Sequence, residues 1–80
     1  MPTVLRLSGF RFFFFSLEGR EPAHIHVERG ENYAKLWLSP VSLARSKGFR
    51  SAEISEIMDI VRTHRIPFQD RWHEHFDRQV

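Results

Sequence analysis

The chain has 80 residues, of which 41% are apolar and 28% charged, a composition typical of one small globular domain and not of a disordered chain. The lack of cysteine excludes a disulfide framework and a thiolate zinc site. A protein that coats DNA needs a strongly basic chain, and the net charge of only +2 excludes that class. Ten of the twelve basic residues are arginine. We therefore expect a single domain over residues 1–80.

The first half of the chain predicts β-strands. Two runs rich in β-branched and aromatic residues are separated by the turn signal Ser8-Gly9. Two later runs alternate between polar and apolar side chains, which is typical of half-buried strands. The predicted strands are residues 3–7, 10–15, 24–28 and 33–38. We expect them to pair as an antiparallel sheet of three or four strands.

The second half predicts helices, over residues 40–78. Ser39 and Pro40 fit a helix N-cap followed by proline at the first helical position, so residues 41–46 are expected to form a short helix. Residues 52–64 carry apolar side chains on one helical face. Pro67 is expected to separate this helix from a third one over residues 68–78. Strands followed by helices predict an α+β fold, with two or three helices packed on one sheet face.

The sequence carries no recognisable export or membrane signal. No charged and then apolar leader follows Met1, so we expect no signal peptide. The longest apolar run is residues 12–15, which is far shorter than the roughly 20 residues of a membrane span. We therefore expect a cytoplasmic protein with no membrane partner.

Alternation along the strands assigns their side chains to two faces of the sheet. The apolar set is expected to face the helices and comprises Phe10, Phe12, Phe14, Ile25, Val27, Ala34, Leu36 and Leu38. The opposite set, which we call the open face, comprises Arg11, Phe13, Phe15, His24, His26, Glu28, Tyr33, Lys35 and Trp37.

The open face combines aromatic rings with cations. Such a surface can stack the bases of single-stranded RNA and neutralise its phosphates. A face this aromatic is not expected to stay bare in water, so a partner protein or a second copy of the chain is an alternative occupant. A purely structural role is the third interpretation.

His24 and His26 are the candidate catalytic residues. Side chains at i and i+2 on a strand lie roughly 6–7 Å apart, so the two imidazoles can flank one phosphate. RNA cleavage at the 2′-hydroxyl needs a general base, a general acid and a cation, and Lys35 or Arg11 would supply the cation. The alternatives are a solvated pair without chemistry and a metal site completed by a distant ligand.

The sequence offers two further candidate sites, a histidine pair near the end of the chain and a cluster of basic residues. His73 and His75 would point about 200° apart on a helix, so they cannot chelate one ion together, and we expect no metal and no cofactor. Arg45, Lys47 and Arg50, which we call the basic cluster, lie in a stretch without acidic residues from 32 to 52. They precede a predicted helix N-terminus, so we expect phosphate contact there, with a solvated loop as the alternative.

Several motifs together span nearly the whole chain. They are MPTVLR at residues 1–6, FRFFF at 10–14, PAHIHVE at 22–28, AKLWL at 34–38, LAR at 43–45, GF at 48–49 and WHEHF at 72–76. The sequence thereby resembles a small bacterial family of unknown function, number 4160 in the domain-of-unknown-function series. Genes of that family often neighbour another small family, in pairs described as toxin–antitoxin-like modules. The resemblance implies a partner protein and assigns no catalytic residue.

The leading hypothesis is a binding component of a two-gene toxin–antitoxin-like module. It would engage a cognate small protein from a neighbouring gene through the open face, with RNA and a second copy of the chain as further candidates. The expected binding residues are Arg11, Phe13, Phe15, Trp37, Arg45, Lys47 and Arg50. The alternatives are a metal-independent ribonuclease that uses His24 and His26, and a histidine-based metal-binding protein.

Overall fold

A computed structural model describes residues 3–15 and 20–76 of the chain. The elements are β1 (Thr3–Leu7), β2 (Phe10–Phe13), β3 (His24–Arg29), β4 (Asn32–Leu38), β5 (Val41–Lys47), α1 (Ser51–Thr63) and α2 (Arg65–Phe76). All five strands pair antiparallel with their neighbours in chain order, in one sheet. The α+β prediction is confirmed, with five strands in place of three or four. The predicted helix end at residue 78 lies outside the described residues.

The predicted short helix at residues 41–46 is wrong, because this segment is strand β5. Ser39 and Pro40 form the tight turn that returns the chain, and Val41 pairs with Leu38 of β4. The helix prediction rests on local signals, Ser39-Pro40 as the start and Gly48 as the stop. Pairing with β4 satisfies the backbone groups on one side of this edge strand, and such tertiary contacts outweigh weak local propensity.

The two helices lie near the predicted ones but begin and end elsewhere. α1 begins at Ser51 after the N-cap residue Arg50, whose backbone N–H donates to the Glu53 carboxylate at 2.9 Å. His64 caps the end of α1, so Pro67 lies in the first turn of α2. The expectation that Pro67 separates two helices is wrong, because proline is tolerated where backbone N–H groups lack intrahelical partners. No helix of the described segments is long and apolar enough to cross a bilayer.

The hydrophobic core lies between the two helices and one face of the sheet. Ile25 pairs with Leu36, and Val27 pairs with Ala34. Directly opposite residues share a face of the sheet, so this register confirms the predicted apolar face. The buried core consists of Phe10, Phe12, Phe14, Ile25, Val27, Ala34, Leu36, Leu38, Ile57, Val61, Phe68 and Trp72. Ile54 and Met58, which lie on the apolar face of α1, are partly buried against this core.

Candidate functional site

Strand register assembles the open face on the side of the sheet away from the core. His26 lies between Phe13 on β2 and Lys35 on β4, and His24 pairs with Trp37. Because residues 41–47 are a strand and not a helix, Arg45 pairs with Lys35 and extends this face. The sequence prediction missed that contribution.

The remaining predicted binding residues divide between this face and its surroundings. Lys47 pairs with Tyr33, so the open face and two members of the basic cluster form one surface. Phe15 follows the end of β2, with its ring 4.5 Å from that of His26. Arg50 is exposed at the N-cap of α1, away from the paired strands.

His26 is enclosed by aromatic rings and is only 2% exposed. Its ring stacks on Phe13 at 5.4 Å and on Tyr33 at 5.7 Å between centroids, and Phe15 meets it edge-on. A hydrogen bond of 2.7 Å joins its Nδ1 to the hydroxyl of Tyr33. The imidazole is therefore part of a packed layer, which corrects the expectation of a solvated histidine.

His24, the first residue of β3, is fully buried, and its ring contacts both open-face residues and Trp72 of α2. Its ring centroid lies 5.0 Å from that of His26, 5.6 Å from Trp37 and 4.7 Å from Trp72. Its Nδ1 lies 3.0 Å from the carbonyl oxygen of Pro22, which can only accept, so Nδ1 is the donor. The solvated pair is wrong for His24 as well, because Trp72 of α2 packs against it.

The two imidazoles lie side by side, as their spacing on the strand predicts. A general acid or base must come within hydrogen-bond reach of the proton that it transfers, directly or through one water. Because His24 and His26 are buried, other protein groups occupy the space that a phosphate would need to reach the two imidazoles. The catalytic role of this pair stays a prediction, and the geometry does not favour it.

Three cations lie over aromatic rings that belong to the open face. Arg11 lies over Phe13 at 4.4 Å, Lys35 over Trp37 at 4.7 Å, and Arg45 over Tyr33 at 5.6 Å. Such cation–π contacts each contribute about 0.5–2 kcal/mol, depending on how far the pair is desolvated. Bases of single-stranded RNA need free ring faces for stacking, and here one face of each of these rings is already covered.

Carboxylates pair with two of these cations. Arg11 contacts Glu28 at 2.7 Å, and Lys35 contacts Glu21 at 2.8 Å. Both glutamate side chains are 43% exposed, so they bring negative charge to the surface. The open face thus presents charges of both signs, and Lys35, the cation expected to stabilise a phosphorane, is held by a carboxylate.

Metal binding would require several histidine or carboxylate side chains close together. In residues 3–15 and 20–76, no group of three or more such side chains is placed to hold a metal ion. His75 packs on Phe76 at 4.7 Å and on Phe14 at 6.5 Å between centroids, as its helical position predicts. His73 is exposed on α2.

Fold and site together define a small antiparallel sheet that is covered by helices on one face and by an aromatic and cationic layer on the other. The profile of a family described as a domain of unknown function, DUF4160, matches residues 9–73. The chain belongs to this family. No curated protein and no solved structure matches the chain significantly.

Proposed function

We propose that this chain is the protein-binding component of a two-gene toxin–antitoxin-like module of the bacterial cytoplasm. Its contact surface is the open face, and its partner is the small protein encoded beside it. The observation that carries the proposal is the set of three cation–π pairs that hold Arg11, Lys35 and Arg45 in place over aromatic rings.

The chemistry of this surface suits a protein partner. Arginine, tyrosine and tryptophan are enriched among the residues that dominate binding energy at protein interfaces. Long side chains that are already held on a ring lose less conformational freedom on binding, which reduces the entropic cost of association. The exposed glutamates Glu21 and Glu28 add charge of the opposite sign, so a partner with both basic and acidic side chains would be complementary.

RNA is the second candidate ligand, and the basic cluster favours it. Arg45, Lys47 and Arg50 are exposed, and no acidic residue occurs in the sequence between Glu31 and Glu53. Contacts from these residues would reach the phosphates and not the bases. Such contacts provide affinity without sequence specificity, and their strength falls steeply with salt.

The decisive experiment is co-purification with the product of the adjacent gene. We expect Trp37→Ala and Arg45→Ala each to weaken that complex at least about tenfold, as removal of an interface residue worth more than 1.4 kcal/mol does. Arg71→Ala, which removes an exposed arginine from α2, is the matched control and should leave the affinity unchanged. Equal affinity for all three variants would contradict the proposal.

Two further measurements separate the other candidate occupants. A dimer of the chain alone that Trp37→Ala dissociates would replace the partner protein with a second copy. Binding of an RNA oligonucleotide that Lys47→Gln and Arg50→Gln reduce, with the protein complex unaffected, would assign the basic cluster to RNA.

A further inference from the structure

A concave surface that shares no residue with the open face lies beside the turn between β4 and β5. It is an open groove of about 630 Å³ lined by Ser39, Pro40, Val41, Arg62 and Arg65. The turn supplies Ser39 and Pro40, β5 begins with Val41, and the region where α1 ends and α2 begins supplies the two arginines. None of the five belongs to the open face or to the basic cluster.

The positive charges of Arg62 and Arg65 are only weakly neutralised by carboxylates. Arg62 contacts Asp59 at 3.4 Å, but these side chains are 58% and 80% exposed, and pairs so exposed contribute little. The ion pairs formed within residues 3–15 and 20–76 include none to Arg65. Two cations three residues apart thus line one groove, and within the described part of the chain the ion pairs to them consist of the weak contact from Asp59.

The groove walls are fixed by the core beneath them. The side-chain amide of Gln69 donates to the carbonyl oxygen of Leu38 at 3.2 Å, which connects α2 to the end of β4. Leu38 and Val61, which directly precede Ser39 and Arg62, are buried, and so is Phe68, three residues after Arg65. A ligand would therefore meet walls that are already in place, which lowers the entropic cost of binding.

We propose that this groove binds the phosphate group of a small phosphorylated molecule. Guanidinium groups offer planar pairs of N–H donors that match phosphate oxygens, and the Ser39 hydroxyl adds a third donor. Pro40 and Val41 provide an apolar wall for the carbon part of the ligand. The volume falls within the roughly 300–1,000 Å³ of small-molecule sites. The proposal is independent of the function of the open face.

Phenyl phosphate is a suitable probe, because it combines a phosphate monoester with an apolar ring. We expect its titration to shift the backbone amide NMR signals of Ser39, Val41 and residues 62–66, and phenol to shift none of them. The double variant Arg62→Gln and Arg65→Gln should bind at least about tenfold more weakly, since hydrogen bonds to charged groups are lost.

Arg71→Gln is the control, because it removes one exposed guanidinium group from α2 outside the groove. Residue 71 lies six positions after Arg65, about 240° around the helix axis, and it is exposed. Wild-type affinity for this variant supports a specific groove. Equal loss in the control and the double variant would overturn the proposal, as would signal shifts spread over all surface arginines.

A short RNA oligonucleotide distinguishes the two sources of phosphate. If RNA shifts the groove signals and phenyl phosphate does not, the site recognises a phosphodiester backbone and the proposed small ligand is wrong. If phenyl phosphate binds and RNA does not compete with it, the small phosphorylated ligand is supported. Neither result depends on whether the open face binds a partner protein.

Discussion

At the scale of single residues, Gly48 lies between β5 and α1, beside Asn32 at the start of β4. Its φ of +92° lies in the left-handed region, and a Cβ atom built there would collide with the side chain of Asn32. Phe49 follows immediately and packs its ring 5.8 Å from that of Phe10, before α1 begins. The conformation of Gly48 therefore determines how β5 leads into α1.

Substitution of Gly48 by alanine should destabilise the protein through both effects. We expect Gly48→Ala to lower the free energy of unfolding by about 2–3 kcal/mol, combining left-handed strain with overpacking. Gly30 also has a positive φ, of +61°, but nothing lies within 4 Å of its Cβ position. Gly30→Ala should therefore cost only about 1 kcal/mol of left-handed strain. Urea unfolding measures both, and equal costs would contradict a contact with Asn32.

At the scale of secondary structure, β5 is the strand that the sequence analysis does not predict, and its register explains why. Leu43 pairs with Leu36 on the core face, whereas Arg45 pairs with Lys35 on the open face. Ala44 is the extra residue of a β-bulge between these two pairs, and it reverses the alternation of faces within the strand. The alternation of side-chain faces with a period of two residues is therefore interrupted in the middle of this seven-residue strand. The sequence has no regular strand pattern to detect, and the Ser-Pro signal dominated.

Glu53 makes the start of α1 sensitive to pH. The backbone N–H of Arg50 donates to its carboxylate, and Arg29 forms an ion pair with it. These contacts, led by the hydrogen bond from Arg50, hold the pKa of Glu53 below its ordinary value of 4.5. Because the pKa is lower in the folded than in the unfolded state, the stabilisation is present above about pH 4.5 and is lost as the pH falls through the folded-state value.

We therefore expect Glu53→Gln to lower the Tm near neutral pH and to remove part of its decline in acid. Wild type and variant should converge once the pH falls below the lowered folded-state pKa of Glu53, where the wild-type carboxylate becomes protonated. Thermal unfolding followed by circular dichroism from about pH 7 to pH 3 provides the measurement. Glu56→Gln, an exposed position on the same helix, is the control and should follow the wild-type curve. Parallel curves for Glu53→Gln and wild type would disprove the linkage.

At the scale of the whole molecule, alternation predicts which face the residues of β2, β3 and β4 occupy but not how deeply they are buried. The register of β3 and β4 followed from the sequence because polar and apolar positions alternate without interruption there. Burial of His24 and His26 did not, since it depends on Trp72, Tyr33 and Phe15, which reach these histidines from other parts of the chain. The sheet thus carries packed rings on both sides, and the layer around His26 acts as a second, smaller core.

This second core predicts that His26 matters for stability. We expect His26→Ala to lower the free energy of unfolding by about 3–5 kcal/mol, as loss of a buried ring does. Tyr33→Phe, which keeps the ring and removes the hydroxyl that contacts Nδ1, should cost only about 1–2 kcal/mol. Urea unfolding tests both, and an RNA cleavage assay is run on the same samples. In the ribonuclease hypothesis, His26→Ala instead retains stability and lowers cleavage by about 10²–10⁴-fold. That outcome would make the imidazole a catalytic group and not a core residue.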